Sequence, residues 1–218
     1  MTWLELFRSA RGRWAILFCL TIVSMIFLYM PTYYEEIIAP KAGILINDPI
    51  LNLFTPVDWS TAVFAILTAA IIQTMIAYAG SATLFITALT TFCVVNIVRM
   101  TTMYLITLEP PSDMILLIDP ISASFVYPHS GFAKDLFFSG HVSTMMVLVL
   151  IERNRIWFLL KVAATALMAL FLAWQHVHYT VDLIAAPFVT YLVFLGVKRY
   201  LRGIPMKNPT KNIRIGGF

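Results

Sequence analysis

The chain has 218 residues, is 60% hydrophobic and only 12% charged, and carries a formal net charge of +4. A soluble domain is about 25% charged, so this composition leaves too few polar side chains to cover a water-exposed globule and is too apolar for disorder. It fits a multi-pass membrane protein, whose length accommodates about six helical spans of ~20 residues and no sizeable soluble domain besides.

Residues 1–13 place Trp3, Leu4 and Phe7 on one helical face with Arg8, Arg11 and Arg13 beyond them, as in a helix lying on a membrane surface. The apolar run Trp14–Met30 follows. No small-x-small cleavage site succeeds it, so the run is expected to be a retained first span rather than a signal peptide. Trp59–Ala79 is the second span, Gly80-Ser81 a turn, and Ala82–Val98 the third. Asp135–Ile151, Ile156–Trp174 and Tyr179–Val197 are the fourth, fifth and sixth, separated by Pro, Gly, Asp and Asn. The fourth is short and holds polar residues, so its pattern specifies it least. The expected architecture is all-α: a polytopic, single integral membrane domain over residues 1–218, with a six-transmembrane-helix bundle at 14–198 and a basic cytoplasmic tail at 199–218. Cys19 and Cys93 lie inside apolar runs and read as small span residues, with neither a disulfide nor a zinc site.

Charge sets the orientation. On the side of the N-terminus lie 12 of the 15 basic residues against only Glu5 and Glu152; the other side holds Lys41, Arg99 and Lys134 against nine acids. By the positive-inside rule both termini are cytoplasmic. The net charge is thus topology, and no nucleic-acid motif accompanies it. Lys161, near the inner end of the fifth span, is expected to snorkel to the cytoplasmic interface.

Ionisable residues in or beside spans are costly and point to function. His141 begins the fourth span, His178 the sixth, and Arg99 closes the third, all on the non-cytoplasmic face of this topology. Asp182 follows His178 by four residues, so both share a helical face one turn apart. A carboxylate there holds one imidazole nitrogen and leaves the other as base or nucleophile. His176 is two residues off that face and reads as a surface residue; His129 sits in a Pro-Gly loop and reads as a loop residue. Two histidines, an aspartate and an arginine suit phosphoryl transfer. Neutral His178 attacks phosphorus to form a phospho-histidine, Asp182 stabilises the resulting cation, and His141 protonates the leaving alkoxide. Arg99 and the amides near Ser139-Gly140 cradle the phosphate oxygens.

These residues carry a resemblance. Phe138-Ser-Gly-His141, opened by Asp135, and His176-Val-His-Tyr-Thr-Val-Asp182 resemble the third and fourth signature motifs of the sphingomyelin synthase family, part of the lipid phosphate phosphatase superfamily. Arg99-Met-Thr-Thr-Met-Tyr104 through Pro110 resembles the second motif. The resemblance implies six spans, catalytic His141, His178 and Asp182, and substrate contacts from Arg99, Tyr104, Asp135, Ser139, Gly140 and Tyr179. It further implies a phospholipid donor, a ceramide or diacylglycerol-type acceptor, no metal or cofactor, and an active site on the lumenal or periplasmic face. A homo-oligomer is compatible with it. Ala133-Lys134 stand where the family has Cys-Gly, and Arg99 stands single where a doubled arginine is common. A lipid phosphatase or phospholipase C-like hydrolase would use the same site with water as acceptor, whereas a transporter or scaffold would tolerate changes at His141 and Asp182. For the head group, choline suits the aromatic faces of Tyr104, Tyr127, Phe137, Phe138, Trp174 and Tyr179; ethanolamine suits Glu109 and Asp113.

Overall fold

The computed structural model describes residues 2–118 and 133–202. His129, Tyr127 and the tail beyond Arg202 lie outside the described residues. Within them the chain forms seven α-helices: α1 (Trp3–Arg8), α2 (Ala10–Tyr33), α3 (Ser60–Tyr78), α4 (Ala82–Leu105), α5 (Gly140–Ile151), α6 (Arg155–Trp174) and α7 (Thr180–Leu201). No strand accompanies them among the described residues; an isolated bridge between Ile44 and Leu108 joins two loops. The architecture is the all-α membrane bundle expected from the composition.

Helix ends follow their caps more than their apolar content. Ser9 Oγ accepts from the Gly12 amide at 2.9 Å, so α2 begins four residues before Trp14. A π-turn over Tyr34–Ile38 carries it on beyond Pro31, giving a span of 29 residues from Ala10 to Ile38. α1 folds back on the bundle, burying Leu6 and donating from Trp3 Nε1 to the Ala79 carbonyl at 3.0 Å. α4 runs seven residues past Val98, which puts Arg99 inside the helix.

Among the described residues, five helices are long and apolar enough to cross a membrane; the expected fourth span is not one of them. Ser139 caps α5 by accepting from the Val142 amide at 3.5 Å, so the helix starts at Gly140 and residues 135–139 are non-helical. Its 12 residues rise ~18 Å, short of a ~30 Å hydrocarbon layer. α5 is instead the centre of the bundle. Val142, Met145 and Leu148 pack in one core with Val63 of α3, Val95 of α4, Met168 of α6 and Ala186 of α7.

Lipid tails are as apolar as leucine, so helix association in a membrane leans on close packing and interhelical polar contacts. Two such knots hold the two ends. At the turn between α5 and α6, Lys161 Nζ donates to Thr74 Oγ1 at 2.6 Å and to Glu152 Oε2 at 2.7 Å. Lys161 is only 4% exposed, so the snorkelling expectation is overturned: Glu152, nine residues earlier, supplies a buried partner that water would otherwise have to replace. Tyr78 and the Arg153 and Asn154 amides donate to Glu152 as well. Burial alone would raise the Glu152 carboxyl, but the Lys161, Tyr78 and amide bonds outweigh it and hold it at about 2. At the other end, buried Gln175 accepts from the Trp59 amide at 2.9 Å and donates to Ser60 Oγ at 3.0 Å and the Ile115 carbonyl at 3.2 Å. That knot ties α3, α6 and the loop after α4 together.

Candidate active site

Arg99 organises the site. Its Nη2 donates to Asp135 Oδ1 at 2.6 Å and its Nε to the Phe138 carbonyl at 3.0 Å. Thr102, one turn on, donates to the Phe137 carbonyl at 3.1 Å. Together they fasten the non-helical segment 135–139 to α4. Gly140 makes this possible: a Cβ there would stand 2.4 Å from Arg99 Nη1 and 2.6 Å from Cζ. Only a glycine admits the guanidinium against the first turn of α5, where the helix dipole also favours an anion.

A cavity of about 200 Å³ adjoins this contact, lined by Asn96, Arg99, Asp135, Gly140, His141 and Thr144 with Leu67 and Phe92. His141 is half-buried there, its ring edge-on to Phe64 with centroids 5.3 Å apart. Of the expected site residues, Arg99, Asp135, Gly140 and His141 therefore share one cavity. Ser139 is fully buried as the cap of α5 and joins through its backbone.

His178 and Asp182 do not line that cavity. His178 is 2% exposed and Asp182 fully buried, with Nδ1 3.6 Å from Oδ2. Asp182 Oδ2 also accepts from the Tyr179 amide at 3.2 Å. Among the described residues, neither His178 Nδ1 nor Asp182 Oδ1 has a hydrogen-bond partner. The pair connects to the cavity through one backbone bond, from the Ser139 N–H to the Asp182 carbonyl at 3.4 Å.

Three residues lie outside the Arg99 cavity, and one of them, His176, overturns an expectation. Tyr104 is exposed, with Lys41 over its ring and bonded to its carbonyl, away from the cavity. Tyr179 is buried and donates from its hydroxyl to the Glu109 carbonyl at 2.9 Å. His176 is not a surface residue: it is buried, at φ 57°, and its Nδ1 lies 2.9 Å from Asp113 Oδ1. It ends α6 in a Schellman turn, with His176 N donating to Ala173 O and Val177 N to Leu172 O, each at 3.0 Å. The His176 bond holds the Asp113 carboxyl below its usual range. Glu109 pairs with Lys134 at 2.9 Å. Phe138 and Trp174 pack within the bundle rather than around the cavity.

Asp48, Asn96 and Thr144 were not anticipated. Asp48 reaches across 132 residues of sequence to the start of α7, accepting from the Thr180 amide at 2.6 Å. It also takes the Thr180 hydroxyl at 3.2 Å and the Ile50 amide at 3.0 Å. Burial tends to raise the Asp48 carboxyl, but these donors hold it below its usual range. A second cavity of about 360 Å³ at this end is lined by Asp48, Asp113, His176 and Tyr179 among others. Asn96 sits three residues before Arg99 and Thr144 three after His141, a helical spacing that put each on the site's face.

Residues 134–199 match the family model described as PAP2 superfamily C-terminal. The matched segment takes in Asp135, Ser139, Gly140, His141, His178 and Asp182. It supports a relationship to the lipid phosphate phosphatase superfamily and a function of the lipid phosphatase or phosphotransferase type. No curated protein matches the chain.

Proposed function

We propose that this chain is a membrane phosphotransferase of the sphingomyelin synthase kind, moving a phosphocholine or phosphoethanolamine head group from a glycerophospholipid to ceramide. One observation carries the reading: a phosphate-sized cavity in which the Arg99 guanidinium, the N-terminus of α5 and His141 converge, bonded through Ser139 to the turn bearing His178 and Asp182. At about 200 Å³ the space is below the ~300 Å³ lower bound for drug-sized ligands, so it takes the phosphate while the lipid tails remain outside.

The chemistry divides into two displacements. In the first, His178 Nε2 attacks phosphorus and the P–O bond to diacylglycerol breaks. Protonated His141 gives its proton to the leaving alkoxide. The positive charge that forms on the imidazole draws Nδ1–H onto Asp182, closing the 3.6 Å separation to a hydrogen bond. In the second, His141 takes the proton of the ceramide hydroxyl, the new P–O bond forms, and the N–P bond breaks. Arg99 and the α5 amides hold the non-bridging oxygens throughout. Because His178 is buried, the residues covering it must move before phosphorus reaches Nε2.

The site lies toward the end of the bundle away from α1, and with the charge skew this supports a lumenal or periplasmic active site. Water as acceptor is the second reading, favoured by the Asp135 side chain, which at 26% exposed lets water reach the arginine fork. The test is purified protein given labelled phosphatidylcholine or phosphatidylethanolamine, with ceramide, diacylglycerol or no lipid acceptor. Head-group transfer to ceramide and an acid-labile phospho-protein are expected, both absent from His178→Ala. Transfer by folded His178→Ala at the wild-type rate would refute the nucleophile, and release of free phosphoryl head group alone would establish the hydrolase.

A further inference from the structure

On the α1 half of the bundle, the helices α2, α4 and α7 leave a groove of about 600 Å³, lined by residues distinct from those of the Arg99 cavity. Trp14 and Phe18 of α2, Val94 of α4, and Val193, Gly196 and Tyr200 of α7 line it. From Val193 to Tyr200 the helix rises ~10 Å, about a third of a ~30 Å hydrocarbon layer. That length suits the part of one acyl chain nearest its glycerol. Gly196 leaves the α7 wall of the groove bare: it is exposed, and a Cβ built there meets nothing within 4 Å.

The mouth of the groove says which lipid. Trp14 and Tyr200 are both exposed at this basic end, and aromatics so placed mark the head-group level. Arg11 precedes Trp14 by three residues and Arg199 follows Gly196 by three, so each lies on the groove's face, one turn nearer the helix end. Both are exposed and neither is in an ion pair among the described residues. Arg8, Arg13, Lys198 and Arg202 stand at the same end. Of the two carboxylates there, Glu5 caps α1 and Glu152 is committed to Lys161. Such a field attracts a head group with net negative charge and does little for a zwitterionic one.

We propose that this groove binds one anionic phospholipid from the leaflet at the basic end, with an acyl chain against Val94, Val193 and Gly196 and the phosphate held by Arg11 and Arg199. The site is separate from the proposed catalytic cavity and does not depend on its chemistry. Native mass spectrometry tests it, using the purified full chain in mixed micelles with equal dioleoylphosphatidylglycerol and dioleoylphosphatidylcholine. The wild type is expected to retain one phosphatidylglycerol in preference. Arg11→Gln and Arg199→Gln should each reduce that preference about five-fold, the contribution of one basic residue near an anionic surface. Gly196→Phe should occlude the groove from its α7 wall and expel the lipid with an unchanged melting curve, while Gly196→Ala, too small to occlude it, keeps the lipid. Should Gly196→Phe misfold, Gly196→Leu gives the same reading. Equal retention of the two lipids by the wild type overturns the proposal. So does a folded Gly196→Phe or Gly196→Leu that still holds phosphatidylglycerol, because the arginines would then act only as diffuse surface charge.

Discussion

Replacing Gly140 by alanine adds one methyl group where the Arg99 guanidinium lies. The new Cβ would meet Nη1 at 2.4 Å, Cζ at 2.6 Å and Nη2 at 3.0 Å, whereas heavy atoms pack at about 3.5 Å or more. Either Arg99 or the start of α5 must therefore shift by about 1 Å. A shift of that size carries the 2.6 Å Arg99–Asp135 contact out of hydrogen-bond range. Charge-assisted bonds of this kind contribute about 1.5–3 kcal/mol. Alanine is itself favoured over glycine in a helix by up to about 1 kcal/mol, so the observed loss understates the clash. For activity, displacement of a positioning group by ~1 Å costs up to about 100-fold. The assay is head-group transfer by purified Gly140→Ala beside its thermal melt. The double variant Gly140→Ala with Arg99→Lys should recover part of the melt without the activity, because lysine has no atoms at the Nη1 and Nη2 positions and its flexible Nζ, which replaces Cζ, can turn away from the new methyl. Wild-type turnover and an unshifted melt in Gly140→Ala would falsify the packing argument and the role given to Arg99 with it.

Other consequences concern the remaining polar contacts. Lys161→Ala strands a buried carboxylate and should destabilise the bundle by about 3–5 kcal/mol; Lys161→Met with Glu152→Gln should restore most of it, read by thermal unfolding in detergent. The same pair sets a pH dependence. The Glu152 carboxyl titrates at about 2 in the folded chain against an ordinary 4.5, so its stabilisation is complete above pH 4.5 and lost as pH falls from there toward 2. That step should vanish from the stability profile of the double variant, and its persistence there would assign it elsewhere. At the end of α6, His176→Gly gains relief of a left-handed residue, about 1–2 kcal/mol, and loses the Asp113 bond, for little net change. His176→Val, whose branched side chain resists positive φ, should lower stability by about 2 kcal/mol; equal melts for the two would contradict the strain account.

Membrane class was legible because apolar runs of about 20 residues have few alternatives, and the motif histidines because charge near lipid is scarce. Helix ends were less so. Leu136, Phe137 and Phe138 read as span by hydropathy, yet Ser139 is the cap and the helix begins after it. Lys161 looked like a snorkelling lysine because its partner lies in the preceding turn, where nothing in a hydropathy profile announces a return contact. Asn96, by contrast, stood in the open: a polar residue inside a span, one turn from Arg99, deserved the same scrutiny as the histidines. Asp48 had no such signal. Its bond to Thr180 exists only because the loop before α3 folds over the start of α7. The same holds for the fit of Arg99 over Gly140, a contact between residues 41 positions apart that depends on the crossing of α4 and α5.

Two buried ion pairs, Lys161–Glu152 and Arg99–Asp135, separate by how much of each is left over. At the turn between α5 and α6 Glu152 is sealed and both its oxygens are engaged, one by Lys161 and the other by Tyr78 and two amides, while Lys161 is shared with Thr74. Nothing there can accept a ligand without breaking a contact, which is the condition of a staple. At the start of α5 Arg99 is also buried, but its carboxylate partner is partly exposed and both face a cavity. An incoming phosphate can take the place of Asp135 on the fork, so that one anion is exchanged for another and the guanidinium is never left unpaired in low dielectric. On the proposed mechanism Asp135 is thus a placeholder that keeps Arg99 extended toward the site, and the difference between a structural and a functional buried charge is access to its partner.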